Sequence, residues 1–297
     1  MFFILLFPCF CLDSAAMTLR LIVNADDFGF SSGVNAAVQK AHVAGLLTSA
    51  TIMANMPAAA EAVRIAKELP SLGVGLHLNL IDGKPVSPAG KVSPLLGSDG
   101  EFGFSTAGLA IASLRSTVRT AIKIELTSQI QWLCDNGIKP THLDSHRHFH
   151  IFPAILPIVT ALADRFALPA VRYPYEPASL CREPWPQISA KSRRRAFIVR
   201  NMARAASLRR HNLFKNDFLL GIAHTGKINT EFWTVLAKRP FDATIELMTH
   251  PGFTDGLDPS KTRLIDQRKV ELDALCSPGV KEMITAADIE LTHYGKL

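Results

Sequence analysis

The stretch LIVNADDFGF, residues 21–30, decides the fold of this chain. Its first five residues are mostly apolar and rich in β-formers, and Asp26 and Asp27 follow them directly. A helical pattern begins at residue 32 and continues to residue 46. A short buried strand that leads into a helix is the repeating unit of parallel α/β folds. This stretch is therefore interpreted as the first of several βα units.

The same alternation continues to the end of the chain. Strand patterns occur at 50–53, 73–78, 141–143, 171–173, 218–223, 243–248 and 289–292. Helical patterns occur at 58–69, 116–136, 153–166, 191–210, 230–237 and 261–275, and residues 81–110 are predicted to form a long loop. Seven or eight such units predict an α/β fold, a single distorted (β/α) TIM-like barrel with parallel strands over residues 17–297. A GxGxxG pattern does not follow the first strand, which argues against a dinucleotide-binding sheet.

Residues 1–16 precede this alternation and are predicted to lie outside the barrel domain. They are apolar and end in small residues, as a secretory signal does, but the first basic residue is Arg20. The segment is too short to span a membrane, and Pro8 interrupts it. We interpret it as an N-terminal extension, either a start assigned upstream of Met17 or a signal-like leader.

Composition excludes some functional classes. The chain has 297 residues, of which 48% are hydrophobic and 20% charged, as in folded globular proteins. Its net charge of +6 comes from residues 191–215, which hold nine basic residues and no acid. Aromatic residues are not interleaved with these basic ones, so we predict no nucleic-acid partner. The five cysteines form no CxxC pair, which favours a reducing compartment and a cytoplasmic location.

Unusual polar residues stand at the ends of the predicted strands, where the active site of a (β/α) barrel lies. Asp26 and Asp27 follow the first strand, His77 closes the third, and His146 follows the fourth. Adjacent buried carboxylates repel each other unless a cation lies nearby. One carboxylate and two imidazoles from three strands are a usual ligand set for a catalytic metal. These residues therefore predict a metal site.

Three further features are candidates for the same site. HLDSHRHFH, residues 142–150, carries four histidines, and on an extended segment His146, His148 and His150 would share one face. His250 follows a strand in THPGF and titrates near neutrality, which suits proton transfer. Arg172 is expected to pair with a catalytic carboxylate and keep it ionised. A surface metal-binding tract, a turn histidine and a structural ion pair are the respective alternatives.

The motifs together resemble the YdjC/ChbG family of carbohydrate deacetylases. The resemblance is carried by NADDFG (24–29), GLHLNL (75–80) with GKP (83–85), THLDSHRHFHIFP (141–153) and HPG (250–252). It implies a distorted barrel that removes acetyl groups from N-acetylated sugars with one divalent metal ion.

The resemblance also implies roles for single residues. Asp27, His77 and His146 would be the metal ligands. Asp26 would be the general base and His250 the general acid. The resemblance implies Mg²⁺ as the bound ion, whereas the combination of one carboxylate and two imidazoles fits Zn²⁺. We assign no role to Arg147, because many relatives carry another histidine there.

Two other stretches are similar to the hopanoid-biosynthesis branch of the family, HpnK. They are VRYPYEPA (171–178) and NDFLLGIAHTGKI (216–228). This similarity implies an N-acetylglucosaminyl hopanoid lipid as substrate. Residues 191–215 would then contact the inner face of the membrane peripherally, through a loosely amphipathic helix with Ile198, Met202, Ala205 and Leu208 as its apolar residues. A solvated helix outside the barrel is the alternative.

Other functions remain open on the residues alone. One is a chitooligosaccharide-type deacetylase, and another is a metal-dependent amidohydrolase acting on a non-sugar substrate, because pocket walls rather than ligands select the substrate. A third is a metal-binding or carbohydrate-binding protein without turnover. The presence of both Asp26 and His250 argues against the third function.

Overall fold

The structure is a computed structural model that describes residues 19–182, 184–207, 211–239 and 242–297. The predicted extension over residues 1–16 lies outside the described residues. In the described part of the chain, no helix is long and apolar enough to cross a membrane.

One sheet of seven parallel strands forms the centre of the described structure. The strands are β1 (Leu19–Phe28), β2 (Ser49–Ile52), β3 (Gly73–Leu78), β4 (Leu143–Ser145), β5 (Phe218–Leu220), β6 (Ala243–Thr249) and β7 (Glu290–Thr292). Their order is β4-β3-β2-β1-β6-β5, and β7 also pairs with β1. Every residue of β1 except Arg20 is buried, as expected for a parallel strand covered on both faces.

The sheet curls until its two ends approach each other. Val171 makes isolated parallel bridges to Leu143 on one side and to Phe214 on the other. On the β5 side, the Leu219 amide donates to the Tyr175 carbonyl at 2.9 Å. These contacts link β4 to β5 through residues 171–175 and confirm the predicted distorted (β/α) barrel. The predicted strand at 171–173 is reduced to a bridge, since the next residue is a proline, which has no N–H to donate.

Helices cover the outside of the sheet. They are α1 (Ser32–Ala44), α2 (Ala59–Glu68), α3 (Ala89–Val92), α4 (Thr106–Ala112), α5 (Ser116–Asp135), α6 (Leu156–Arg165), α7 (Ala190–Ser207), α8 (Thr230–Ala237), α9 (Asp266–Leu275) and α10 (Pro278–Ala286). The predicted loop at 81–110 contains α3 and most of α4, and α10 was not predicted.

Helix α1 illustrates how the sequence forms these elements. Ser31 caps its N-terminus, since its side chain accepts a hydrogen bond from the Val34 amide. Val34, Ala37, Val38 and Ala41 recur at helical spacing and are fully buried. This apolar stripe packs the helix into the main hydrophobic core, which also holds the inner residues of β1 and β2.

The basic helix α7 differs from its prediction. Met202, expected on a membrane-facing surface, packs inward with Ala203 and Ala206 against the body of the protein. The large apolar residues that α7 exposes are Phe197 at 56% and Ile198 at 46%. Leu208 lies outside the described residues.

An irregularity in β1 brings its two aspartates to the same place. The pairing of β1 with β2 shifts register between Ala25 and Phe28, and Asp27 has a φ of 65°. In a regular strand, neighbouring side chains point to opposite faces. The irregularity re-aims the chain, as a bulge does, so that both Asp26 and Asp27 approach His77 of β3.

Candidate metal centre

Three side chains converge at the carboxyl ends of β1, β3 and β4. Asp27 Oδ1 lies 3.6 Å from His77 Nε2 and 3.2 Å from His146 Nδ1. One potential ligand atom from each residue lies within 4.8 Å of the other two. We call these residues the ligand cluster. They are the three residues that the sequence nominated as metal ligands, and their arrangement can hold a metal ion.

The second ring nitrogen of each histidine is held by a carboxylate. His77 Nδ1 lies 2.7 Å from Asp144 Oδ1, and His146 Nε2 lies 3.0 Å from Asp82 Oδ2. Metal-ligating histidines usually have such a partner, because it fixes the ring and leaves the other nitrogen free to ligate. The donor set and its supports therefore fit a bound divalent cation.

The electrostatics also favour positive charge here. Burial lowers the pKa of His77, but the carboxylates, Asp144 foremost, outweigh it and raise the value. For His146, burial is likewise outweighed by hydrogen bonds and charge from Asp27 and Asp82, which raise its pKa to about 9. Carboxylates that stabilise a protonated imidazole also stabilise a bound metal ion. The raised pKa values of His77 and His146 therefore indicate that a cation is stabilised at this position.

A second group, formed by Asp26, His77 and Asp144, has suitable spacing but a different character. The guanidinium of Arg172 already lies between its carboxylates, 2.6 Å from Asp26 and 2.8 Å from Asp144. This arginine supplies the positive charge that a metal would otherwise supply. The ligand cluster is therefore the better candidate for a metal.

Arg172 is the centre of a buried charge network. Its guanidinium contacts Asp26, Asp144 and Glu246, and Glu246 also accepts a hydrogen bond from the Tyr294 hydroxyl at 2.6 Å. Burial raises the pKa of Asp26, but the charge and hydrogen bonds of Arg172 outweigh it and hold the value far below the ordinary range. Asp26 is therefore ionised.

The hydrogen bonds of Asp26 leave one of its oxygens available. Oδ1 accepts from Arg172 Nη2 at 2.6 Å and from Asn24 Nδ2 at 2.9 Å, whereas Oδ2 accepts from Arg172 Nη1 at 2.8 Å. A carboxylate oxygen has two lone pairs. Among the described contacts, Oδ2 is thus the oxygen that can still accept a proton.

His250 follows β6 directly and lies in the same region. Its backbone amide donates to Glu271 Oε2 at 2.6 Å, and its Nδ1 is buried without a hydrogen-bond partner among the described residues. Burial lowers the pKa of the ring to about 4, although the charges of Asp26 and Asp27 oppose the shift. Near neutral pH, His250 is therefore unprotonated in this structure.

The histidine tract does not adopt the extended form that the sequence predicted. Arg147 and His148 both have a φ of 58°, within a 3-10 turn over His146–Ile151. His146 reaches the ligand cluster, whereas His150 bonds instead to the Ser145 hydroxyl at 2.7 Å. The prediction that three of these histidines share a face is wrong, because the left-handed residues turn the chain between them.

Several contacts to the predicted residues were missed. Asp82 lies in the predicted loop and was not nominated from the sequence. Asn55 Nδ2 donates to its backbone carbonyl at 2.9 Å, and its backbone amide donates to Asn79 Oδ1 at 3.2 Å. Arg268 Nη2 donates to Asp27 Oδ2 at 2.6 Å from helix α9. A lone arginine in a charged helical segment gives no sequence signal for such a role.

Comparison with known proteins shows what the chain is similar to. Residues 20–286 match a family model described as YdjC-like protein. The chain is 34% identical to a carbohydrate deacetylase of Brevibacillus brevis over 94% of this chain and 100% of that protein. It is 31% identical to a chitooligosaccharide deacetylase of Proteus mirabilis over 95% and 100% of the two chains.

A solved structure has the same fold. It is that of a putative cellobiose-phosphate cleavage protein from Enterococcus faecalis V583, with a TM-score of 0.75 and 25% identity. The alignment covers 94% of this chain and 98% of that one.

Proposed function

This chain belongs to the YdjC-like family, and we propose that it is a metal-dependent carbohydrate N-deacetylase. The family resemblance predicted from the motifs is confirmed by the match over residues 20–286. The observation that carries the proposal is the convergence of the ligand cluster beside Asp26 and His250. Relatives named carbohydrate deacetylase support the reaction type.

The proposed reaction hydrolyses an acetamide to acetate and an amine. A divalent ion, Zn²⁺ or Mg²⁺, held by Asp27, His77 and His146 would polarise the acetyl carbonyl and make the attacking water more acidic. Asp26 Oδ2 takes a proton from the water as its oxygen attacks the acetyl carbon. Arg172 holds this carboxylate by both oxygens and so fixes the direction from which the proton is removed. Arg172 is therefore a positioning residue.

Breaking the carbon–nitrogen bond requires a proton on the leaving amine. We assign this proton to His250. The lowered pKa of His250 makes its protonated form a stronger acid than an ordinary imidazolium, and the neighbouring carboxylates Asp26 and Asp27 stabilise that form while it exists. His250, which is neutral at rest, therefore takes a proton from solvent before it protonates the amine, and Asp26 afterwards returns to solvent the proton that it took from the attacking water.

A finer proposal concerns the substrate. We propose an N-acetylglucosaminyl hopanoid lipid, on the similarity of residues 171–178 and 216–228 to the hopanoid branch. On this proposal residues 17–297 form one cytoplasmic barrel domain that works at the inner face of the membrane. Phe197 and Ile198 of α7 would enter the lipid surface, beside the exposed Arg194.

Acetate release tests the reaction and the substrate together. The purified full chain is treated with a chelator, reloaded with Zn²⁺ or Mg²⁺, and given N-acetylglucosamine oligomers or the N-acetylglucosaminyl hopanoid. Metal-dependent acetate from the hopanoid alone supports both proposals. Acetate from the oligomers alone retains the deacetylase and refutes the lipid substrate. Release from neither substrate, by a protein that binds one metal ion, refutes the sugar deacetylase and favours another amide substrate.

Vesicle binding tests the membrane contact separately. We expect the protein to sediment with phosphatidylglycerol vesicles but not with phosphatidylcholine vesicles. Arg194→Glu and Phe197→Ser should each abolish this binding. Lys269→Glu, on the exposed face of α9, is the control for a change of charge alone. Equal sedimentation of all variants would refute the contact.

A further inference from the structure

We infer that helix α9 positions two parts of the site at once: Arg268 fixes the carboxylate of Asp27, and Glu271 fixes the main chain at His250. The inference rests on the proposed function, because it assigns these two residues to the metal ligand and the acid of that reaction. The helix lies outside the strands that carry the ligand cluster, so its role is not implied by the barrel itself.

The first contact restrains the metal-ligand carboxylate. Arg268 is 1% exposed, and its Nη2 lies 2.6 Å from Asp27 Oδ2. Its Nε donates to the Leu264 carbonyl at 3.1 Å, which holds the guanidinium in place. One oxygen of Asp27 is thereby occupied, and the other, Oδ1, is the one that faces both histidines of the ligand cluster. The bond from Arg268 therefore selects which oxygen is available as a ligand.

The second contact restrains the loop that carries the acid. Glu271 follows Arg268 by three residues, so both side chains leave the same face of α9. Glu271 is fully buried, and its two oxygens accept hydrogen bonds from the amides of His250 and Gly226, each at 2.6 Å. Two backbone amides thus compensate a carboxylate whose burial is otherwise costly. The bond from the His250 amide also restrains the main chain directly after β6.

Gly252 allows the loop and the helix to come this close. A Cβ atom at this position would lie 2.7 Å from Arg268 Cδ and 3.1 Å from Arg268 Cβ. Such distances require the arginine stem to shift. Glycine is therefore favoured at the third position of the His-Pro-Gly motif, because the arginine that binds Asp27 packs directly against it.

Helix α9 also supplies its own control. Lys269 and Asp273 form an exposed ion pair on a different face of the helix. Lys269→Gln removes a charge from α9 without touching Arg268 or Glu271. Differences between this variant and the two buried ones report on the positioning contacts rather than on the helix in general.

The test compares Arg268→Gln, Glu271→Gln and Lys269→Gln in the full chain. Zn²⁺ affinity is measured by calorimetry, kcat and KM by acetate release, and thermal unfolding on metal-free protein. We expect Arg268→Gln to weaken Zn²⁺ binding by about 10- to 100-fold, as loss of an outer-shell partner does. Glu271→Gln should leave Zn²⁺ affinity within about twofold and lower kcat by about 10- to 100-fold at unchanged KM. Lys269→Gln should change none of these.

Defined results overturn the inference. Unchanged Zn²⁺ affinity in Arg268→Gln refutes the first contact, and unchanged kcat in Glu271→Gln refutes the second. A lower unfolding temperature with both functions intact would make α9 merely structural. Where a variant does not fold, Arg268→Lys and Glu271→Asp replace it with the same expected directions.

Failure of the proposed function would be recognised separately. If the wild-type chain releases no acetate, Zn²⁺ affinity still decides the role of Arg268. Amide hydrogen exchange then decides the role of Glu271. Faster exchange confined to the amides of residues 226, 250 and 252 in Glu271→Gln supports positioning, whereas unchanged exchange there, or uniformly faster exchange, refutes it.

Discussion

Asp26 and Asp27 are neighbours in the sequence, but they belong to two differently built regions of the site. In the inner region, Arg172 binds both oxygens of Asp26 and also contacts Asp144 and Glu246. In the outer region, Arg268 binds one oxygen of Asp27 and leaves the other facing the two histidines of the ligand cluster. Arg172 thus binds both oxygens of Asp26, whereas Arg268 binds only one oxygen of Asp27.

The difference shows how one fold gives adjacent carboxylates distinct surroundings. The inner region has its cation built in, so Asp26 stays ionised and oriented but has little room for a metal. The outer region has an oxygen and two ring nitrogens within 4.8 Å of one another, which is an arrangement that can hold a divalent ion. The two regions should therefore respond differently to substitution.

The largest effect is expected where the outer region is opened. Asp27→Asn removes the negative charge of the proposed ligand while retaining the shape of the side chain. We expect loss of measurable Zn²⁺ binding by calorimetry and a decrease in acetate release of at least about 10⁴-fold, because the metal-supported reaction is lost entirely. Zn²⁺ binding at wild-type affinity in this variant would contradict the assignment of Asp27 as a ligand.

The matched inner substitution should separate catalysis from metal binding. Asp26→Asn removes the proposed base but leaves the ligand cluster intact. Acetate release should fall by about 10²- to 10⁴-fold, the usual range for a general base, while Zn²⁺ affinity stays within about threefold. If Asp26→Asn instead loses the metal and Asp27→Asn keeps it, the assignments of the two regions have to be exchanged.

Removing the built-in cation of the inner region should mainly affect stability. Arg172→Met leaves the carboxylates of Asp26, Asp144 and Glu246 buried without their shared partner. We expect the free energy of unfolding to decrease by about 3–5 kcal/mol, as for other broken buried ion pairs. Chemical denaturation of the metal-free chain measures it, with Lys269→Gln as the control. A decrease below about 1 kcal/mol, the range of exposed pairs, would show that the network is not a stabilising unit.

The smallest effect concerns the pH dependence of the inner region. Burial raises the pKa of Glu246 above its ordinary 4.5, against the opposing effects of Arg172 and Tyr294. An acid with a raised folded-state pKa contributes stability below its unfolded pKa and loses it as the pH rises through the folded value. In Glu246→Gln the free energy of unfolding should therefore fall less steeply as the pH rises above 4.5. Chemical denaturation at a series of pH values measures this dependence. The same change of unfolding free energy with pH in the variant and the wild type would contradict the raised pKa of Glu246.

Part of this architecture could be predicted from the sequence, because periodicity is a local property. The strand at 73–78 was predicted with its observed bounds, and most helices were placed within a few residues of their ends. The helices that were not predicted, such as α3 and α4, are short or lack a clear helical periodicity of apolar residues. The left-handed residues within HLDSHRHFH could not be predicted, since local preference disfavours the positive φ that Arg147 and His148 adopt.

The sequence by itself determined the βα rhythm, the edge at which polar side chains accumulate, and the family motifs that nominate Asp26, Asp27, His77, His146 and His250. Strand alternation and helical spacing act over a few residues, so they can be read directly along the chain. The sequence also nominated Arg172 as the partner of a carboxylate in the site, and the structure shows that this carboxylate is Asp26. Only the tertiary structure decided that Asp82 and Asp144 orient the two histidines and that Arg268 reaches Asp27 from 241 positions away. Such partners are chosen by the packing of distant elements, for which the sequence around each residue contains no signal.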